Sequence, residues 1–234
     1  MTFTDDFLKA LGAWQKGWNE DQSKKAELEV ELKSTTKHLP KKFKSVSTPC
    51  YRKRFLHKGE LYEIIMVDEK DEGVTSWTID KRYAERFKGV YKANAVSGAI
   101  FEHSPTSEEV IVNICELWKC EQFTLAVQNY TERQGEHSDA LNNFKASQGE
   151  VILSSPLKGS EIIALTGAAS PFDELCEQAG IEEEKRDDYY RQLVEQNIYP
   201  DEIQYTTKEG TQRVIQKTIK RMDALIQSVM GKNI

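Results

Sequence analysis

A carboxylate and an amide stand two residues apart where a polar stretch runs into a short apolar segment, in the sequence Gln148-Gly149-Glu150-Val151-Ile152. On a strand, alternation places the side chains of Gln148 and Glu150 on one face, so that both meet the same pocket. A carboxylate can stabilise positive charge that develops in a reaction, which an amide cannot do. An amide can instead orient another amide or an exocyclic amine through paired hydrogen bonds. Taken alone, the pair fits either an ordinary solvated strand end or a reaction centre in which the two side chains have different tasks.

Two arginines open the first predicted strand, in the stretch Tyr51-Arg52-Lys53-Arg54. A guanidinium stays charged, and its planar fork matches the oxygens of a phosphate group. Because Arg52 and Arg54 are two residues apart, alternation places them on the same face and cannot separate them. Taken alone, the stretch fits either an ordinary basic face or a phosphate contact, for which Arg52 is the first choice and Arg54 the fallback.

Two hydroxyl groups lie on a later predicted strand, in the stretch Ser76-Trp77-Thr78. Ser76 and Thr78 share one face of that strand, whereas Trp77 is expected to point the opposite way, into packing. A short helix is predicted over residues 80–87, with Asp80 as its N-cap.

An arginine, a Ser-x-Thr pair and a Gln-x-Glu pair, each at a strand and in this order, resemble the Arg–Ser–Glu class of mono-ADP-ribosyltransferases. That group includes cholera-type toxins, clostridial Rho-modifying exoenzymes and pierisin-like toxins. The Tyr-Arg-Gly of the family looks like residues 51–53, where a lysine replaces the glycine. Its STSLDxxxAxxF looks like SWTIDKRYAERF at 76–87, and its QxEVL looks like QGEVI at 148–152. The resemblance covers roughly residues 47–168.

The resemblance implies an enzyme that cleaves NAD between nicotinamide and ribose and transfers ADP-ribose, with NAD as a substrate and no metal. Glu150 would stabilise the sugar cation and hold its 2′-hydroxyl, and Ser76 would fix the rotamer of that carboxylate. Arg52 would grip the NAD pyrophosphate, and Thr78 would support the pocket wall. The implied NAD-binding residues are Arg52, Arg54, Thr78 and Tyr51.

The acceptor of ADP-ribose is predicted to depend on Gln148. In the family, glutamine at this position goes with asparagine side chains or with the amino group of a nucleobase. Phe144 would sit on the acceptor-recognition turn, where an aromatic ring can stack on a base or pack on a protein. A protein amide and a nucleic-acid base, in RNA or DNA, both remain open as acceptors.

Two other functions compete with the transferase. A NAD glycohydrolase would release nicotinamide without labelling an acceptor. A non-catalytic binding module would keep the fold without turning over NAD, and Lys53 favours it because a lysine in place of the glycine could crowd the nucleotide.

Charge is unevenly spread along a chain whose net charge is −6. Residues 32–59 carry nine Lys or Arg and no acid, whereas residues 171–210 carry twelve acids against four bases. The basic stretch could track the phosphates of a nucleic acid, or it could be an ordinary solvated face.

The pattern of elements predicts an α+β fold with a mainly antiparallel core. A helix is predicted over residues 3–33, capped by Thr4 or Asp5, on an apolar stripe of Phe7, Leu11, Trp14 and Trp18, which Leu28 and Leu32 continue after a polar stretch. A β-rich core is predicted over 47–168. Strands are expected in this core at CYRKRFL, LYEIIMV, VTSWTI, SGAIFEH, EEVIVNICEL, EVILSSP and SEIIALTG, and a helix at 119–134.

The predicted transferase domain is residues 1–170, and residues 171–234 are predicted to be a helical extension. Helices are expected at PFDELCEQAG, at DDYYRQLVEQNI and over 211–230. The apolar stripe of the last one is assigned to the core, with a partner-binding helix as the alternative. A toxic transferase of a bacterium or phage would need a neutralising antitoxin or a chaperone. Residues 171–234 are predicted to pack on or beside the transferase core, where they could bind such a partner or could themselves cover the site.

Other chemistry has little support in the sequence. The four cysteines, at positions 50, 115, 120 and 176, form no zinc-type spacing and are expected to be free thiols. The four histidines form no arrangement with nucleophiles or metal-ligand pairs, and are expected to be surface or core residues. No apolar run approaches the roughly 20 residues of a membrane span, and no signal peptide is expected. The predicted location is the cytoplasm, including that of a cell into which the protein is delivered.

Overall fold

The computed structural model of the 234-residue chain describes residues 2–88, 92, 94–143, 148–166, 171–196 and 205–230. It is a mixed α+β protein, as predicted. The strands are β1 (Cys50–Leu56), β2 (Val74–Thr78), β3 (Ser97–His103), β4 (Val110–Asn113), β5 (Glu150–Ser154) and β6 (Ile162–Leu165). They form an antiparallel sheet in the order β4-β5-β2-β1-β3-β6.

Along the chain, helices precede the first strand, lie between strands and follow the last one. The helices of the described residues are α1 (Asp5–Lys16), α2 (Gln22–Thr35), α3 (Lys81–Arg86), α4 (Ile114–Trp118), α5 (Glu121–Glu132), α6 (Ser138–Asn143), α7 (Pro171–Gln178), α8 (Arg186–Glu195) and α9 (Lys208–Met230). The helix predicted at 80–87 is confirmed as α3, and Oδ1 of Asp80 accepts from the backbone N–H groups of Arg82 and Tyr83. The predicted helices at 119–134 and after residue 170 are confirmed as α5 and α7–α9.

The single helix predicted over residues 3–33 is wrong, because the chain forms two helices there. Thr4 caps α1 by accepting from the N–H of Phe7 at 3.2 Å, so the predicted start is confirmed. Helix α1 ends at Gly17, whose φ of 84° is readily adopted only by glycine. Asp21 then caps α2 by accepting from two backbone N–H groups. The polar stretch between the two apolar stripes is therefore a turn and not a helical interior.

Two short apolar runs also differ from the prediction. LYEIIMV was expected to be a strand, but Tyr62–Val67 forms a π-helical turn in which Ile64 is buried and Tyr62 is exposed. EEVIVNICEL forms β4 and then turns into α4, because Oδ1 of Asn113 caps the helix by accepting from the N–H of Glu116. Short apolar runs fit a strand or a buried helical turn equally well, so periodicity cannot separate them. The other predicted strands are confirmed.

Contacts divide the chain into two compact units, and each is made of separate stretches. The first unit comprises Met1–Arg52, Asp71–Tyr83 and His103–Pro156. The second comprises Lys53–Lys70, Ala84–Glu102 and Leu157–Ile234. The boundary predicted between residues 170 and 171 stays a prediction.

The first unit has an aromatic and aliphatic core that fixes helix α1. Phe3, just before the helix, and Phe7, in its first turn, contact Phe123. The Phe3 and Phe123 ring centroids are 5.2 Å apart with the rings edge to face. Leu8 and Leu11 are 1 % exposed. Burial of one such side chain stabilises a fold by roughly 1.5–3 kcal/mol. Helix α1, which packs on α2 and α6, is thus a fixed part of this unit.

We expect Gly12→Ala to lower the free energy of unfolding by about 1–3 kcal/mol. A Cβ atom at this position would lie 2.6 Å from the backbone oxygen of His137, so α1 would have to move away from the segment before α6. Alanine is by itself the better helix former, which offsets about 1 kcal/mol of the loss. Urea denaturation measures the change. Gly59→Ala is the control, because a Cβ there meets no atom within 4 Å, and an equal loss in both variants would contradict the packing explanation.

In the second unit, helix α9 packs on β6 through its N-terminal end. Thr211 is fully buried, and its hydroxyl lies 2.6 Å from that of Thr206, which in turn accepts from the N–H of Leu165. The stripe predicted to be core is wrong in its C-terminal half, because Ile226 and Val229 are 38 % and 61 % exposed. Among the described residues, none of the helices has the length and apolar character that crossing a membrane requires.

Candidate functional site

Ser76 and Glu150 meet across two neighbouring strands of the first unit. Strands β2 and β5 are antiparallel, and Thr78 lies opposite Glu150. Opposite residues share a face, and so do residues two apart on one strand, so Ser76 is on the same face as Glu150. The Ser76 hydroxyl donates to Oε1 of Glu150 at 2.6 Å. The predicted pair is thus in direct contact, through a diagonal that the long glutamate side chain spans.

Helix α1 supplies two further donors to this pair. The indole Nε1 of Trp14 donates to Oγ of Ser76 at 3.0 Å. The side-chain Nε2 of Gln15 donates to Oε2 of Glu150 at 3.1 Å. Each carboxylate oxygen of Glu150 therefore has its own donor, and the serine that provides one of them is itself held by a tryptophan.

Glu150 is a buried carboxyl group, with 8 % of its surface exposed. Burial raises its pKa above the ordinary value, because a charge in a dry environment loses its hydration, and the hydrogen bonds from Ser76 and Gln15 lower the pKa again in part. The carboxylate is therefore less well solvated than a surface glutamate, and a positive charge beside it would be stabilised strongly.

Arg52 of β1 contacts β2 at Ser76. Its Nη1 donates to the backbone oxygen of Ser76 at 3.0 Å, and its Nη2 forms a salt bridge with Oε2 of Glu72 at 2.9 Å. The backbone oxygen of Glu72 accepts from Nζ of Lys25, which also pairs with Glu29 at 2.7 Å. The guanidinium is thus fixed against β2 by one carbonyl and one carboxylate.

Arg54 has different partners. It forms a salt bridge with Glu60 at 2.5 Å and donates to the backbone oxygen of Phe55. These contacts lie within residues 54–60 of its own stretch. The structure thus brings Arg52, the first choice of the two arginines, to Ser76.

Lys53, which stands in place of the glycine of the family motif, is buried. Its Nζ donates to the backbone oxygen of Glu85 at 3.2 Å and lies over the rings of Phe55 and Tyr205. Burial lowers the pKa of this ammonium group. The contacts account for a lysine here without a bound nucleotide, so they lend no support to the idea that Lys53 crowds one.

Gln148 lies in the turn before β5, not on the strand. The strand begins at Glu150, and Gly149 has a φ of 59°, so alternation does not relate the two side chains and that reason for placing them on one face is wrong. The Thr78 hydroxyl donates to the backbone oxygen of Gln148 at 2.5 Å, and the N–H of Ile79 donates to that of Gly149 at 2.9 Å. The turn is therefore tied to the end of β2.

Two predicted site residues remain, Tyr51 and Phe144. Tyr51 lies opposite Thr78 in the pairing of β1 with β2. Trp77, which was predicted to point away from the site, is packed as expected, being 2 % exposed with its ring 5.7 Å from that of His103. Phe144 lies outside the described residues.

Four residues near the site were not predicted to belong to it. Trp14 was assigned to an apolar core stripe, and Gln15 carried no signal at all. Glu72 was part of a charged turn. Burial and the charge of Glu150 together raise the pKa of Tyr83, so its phenol lies within electrostatic range of that carboxylate. Only the position of Tyr83 in the 76–87 motif could have pointed to the site.

A second polar cluster of the first unit, formed by His103, Glu109 and Ser155, has a structural role and not a catalytic one. Ser155 lies 3.1 Å from Nε2 of His103 and donates to Glu109 at 3.0 Å, while the same Nε2 is 3.2 Å from that carboxylate. Because one ring nitrogen faces both partners, the imidazole cannot relay a proton between them as a catalytic histidine does. Ser155 is 2 % exposed, which agrees with a core role for His103.

A surface cavity of about 680 Å³ lies elsewhere in the first unit. Its lining residues are Phe3, Thr4, Asp5, Asn129, Glu132 and Arg133. None of the predicted site residues lines it.

Comparison of the chain with protein-family models, curated proteins and solved structures gives no match. The case for a function therefore depends on the contacts of the site itself.

Proposed function

We propose that this chain is an NAD-dependent mono-ADP-ribosyltransferase that modifies a macromolecule. The observation that carries the proposal is one chain of contacts, from Arg52 through Ser76 to Glu150, on the neighbouring strands β1, β2 and β5. These are the residue types and the sequence order of the Arg–Ser–Glu transferases. The contacts join residues 24 and 74 positions apart, so the pairing of the three strands brings these residues together.

The residues present fit the substrate that this activity requires. NAD supplies the ADP-ribose group and the nicotinamide leaving group. Glu150, when ionised, stabilises positive charge on the ribose, and its burial strengthens that interaction. Ser76 holds the carboxylate in one orientation. Arg52 offers a guanidinium to the pyrophosphate, which would compete with Glu72 for it.

The proposed acceptor is an amide or an exocyclic amine, on a protein or on a nucleic acid. Gln148 is half-buried at the turn before Glu150, where its neutral amide can pair with such a group without ionising it. Lys33, Lys37, Lys41 and Lys42 are exposed on the first unit and could contact phosphates of a nucleic acid. An enzyme of this kind acts as a toxin or effector, with an antitoxin or chaperone as its neutralising partner.

Labelled NAD tests the proposal directly. The full chain is incubated with NAD labelled in its adenylate phosphate and with a cell lysate, and the protein and nucleic-acid fractions are separated. We expect release of nicotinamide and label in one of the two fractions, which also identifies the acceptor class. Nicotinamide without label indicates a glycohydrolase, and neither product indicates a binding module.

We expect Gln148→Glu to change the acceptor while NAD cleavage stays within about threefold of wild type, since the residue acts on the acceptor and not on the ribose. The backbone contact of Thr78 with residue 148 does not depend on the side chain, so the turn is preserved. Label transfer and nicotinamide release are measured side by side. Gln128→Glu, at an exposed position of α5, is the control. Loss of NAD cleavage in Gln148→Glu would show that the two roles are not separate.

A further inference from the structure

Two neighbouring residues of α1 hold the two polar side chains of the site. Trp14 Nε1 donates to Ser76, and Gln15 Nε2 donates to Glu150. They lie in the last turn of the helix, whose other face is buried against α2 and α6. Because the helix is fixed by its core, these two donors have fixed positions relative to β2 and β5.

We propose that Trp14 and Gln15 are positioning residues for the transferase reaction, an inference that rests on the proposed function. Trp14 orients the hydroxyl of Ser76, which then directs its proton to Oε1 of Glu150. Gln15 holds Oε2. The carboxylate is thereby kept in one rotamer, with both oxygens engaged before a substrate arrives, as a preorganised site requires.

The Gln15 amide is poorly explained by stability alone. Among the described residues, its Oε1 is buried and has no hydrogen-bond partner. An unpaired buried acceptor destabilises a fold, and an apolar side chain of similar size would avoid that cost. A glutamine that leaves half of its amide unsatisfied in order to contact a carboxylate is what a functional role predicts.

Of the titratable groups around Glu150, Glu150 itself is the one that changes its charge in the acid and neutral pH range. Tyr83 on α3 interacts with its charge, and burial together with that charge raises the pKa of the phenol. Cys115 on α4 donates from Sγ to the Glu150 backbone oxygen at 3.8 Å, and burial raises the pKa of its thiol. Arg52 on β1 stays charged throughout. Loss of the Gln15 donor should therefore be visible as a shift in the titration of Glu150.

Gln15→Met tests the proposal in the full chain. We expect kcat for nicotinamide release to fall about 10- to 100-fold, the range that a misplaced catalytic group costs, with KM for NAD within about twofold of wild type. The acid limb of the pH–rate profile should move to higher pH. In the variant, ¹³C NMR titration of Glu150 should show the same shift. The melting temperature should change little, because removal of the unpaired Oε1 offsets the loss of the donor to Glu150.

Matched variants separate positioning from packing. Trp14→Phe keeps an aromatic ring but removes the N–H donor, and it should lower kcat. Trp18→Phe is its control, because the Trp18 ring packs 5.2 Å from that of Trp14, and this variant should leave kcat unchanged. Gln22→Met is the exposed control for Gln15→Met. If Gln15→Met leaves kcat and the Glu150 titration unchanged, the positioning role is overturned but the transferase is not. A gain in kcat would also overturn it, because Gln15 would then hinder the reaction. A wild-type chain that releases no nicotinamide would overturn the proposed transferase itself.

Discussion

Glu150→Gln should reduce NAD cleavage and ADP-ribose transfer by about 10²–10³-fold or more, the range seen when a preorganised electrostatic partner of the transition state is removed. The substitution keeps the size of the side chain and removes its charge. Ser76 can still donate to the oxygen that remains. The loss should therefore appear in kcat, measured as nicotinamide release, with little change in the affinity for NAD.

The same variant should be more stable than wild type at neutral and alkaline pH. Burial raises the pKa of Glu150, so the folded state favours the neutral carboxyl. Stability from this group is complete below its ordinary pKa and is lost as the pH rises through the raised one. The amide nitrogen introduced at position 150 would also face Gln15, whose side chain can turn to offer its unpaired Oε1.

Activity and stability of the wild type should consequently change in opposite directions over that pH window. NAD cleavage should rise with pH as Glu150 ionises, while the free energy of unfolding falls. Glu116→Gln, on the half-exposed carboxylate that pairs with Lys119, is the control and should leave both profiles unchanged. A Glu150→Gln enzyme with full activity would show that the pocket has been assigned to the wrong residues.

The sequence was sufficient for the part of the site that lies on strands. Short β-branched and aromatic stretches mark strands, and this placed Ser76, Thr78 and Arg52 on strands and Glu150 at the start of one. Their expected roles came from the resemblance to the transferases. Gln148 was misjudged because strand alternation was extended to a residue that precedes the strand, where Gly149 has a positive φ.

The long-range contacts of the site could not be predicted from the sequence. The bonds of Trp14 to Ser76 and of Gln15 to Glu150 join residues 62 and 135 positions apart, and no local pattern encodes them. A tryptophan in an apolar stripe looks the same whether its N–H is used or not. The break at Gly17 had a local signal in the polar stretch that follows, but the two apolar stripes on either side obscured it.

Arg52→Lys should lower kcat/KM for NAD by about 10- to 100-fold, because charge-assisted hydrogen bonds are worth about 1.5–3 kcal/mol each and a lysine cannot reproduce the planar fork. Lysine keeps a positive charge beside the half-buried carboxylate of Glu72, so the effect on folding should be small compared with that of Arg52→Ala. The loss should appear mainly in KM, since the arginine binds the dinucleotide and does not act on the ribose.

Arg54→Lys is the matched control, because it lies two residues along the same strand and also pairs with a glutamate, Glu60. Its kcat/KM should stay within about threefold of wild type, since its contacts are with Glu60 and the Phe55 carbonyl and not with Ser76. Steady-state kinetics of nicotinamide release, with melting temperatures for both variants, decide between them. A larger loss in Arg54→Lys would assign the phosphate contact to Arg54 and leave Arg52 with a structural role between Glu72 and β2.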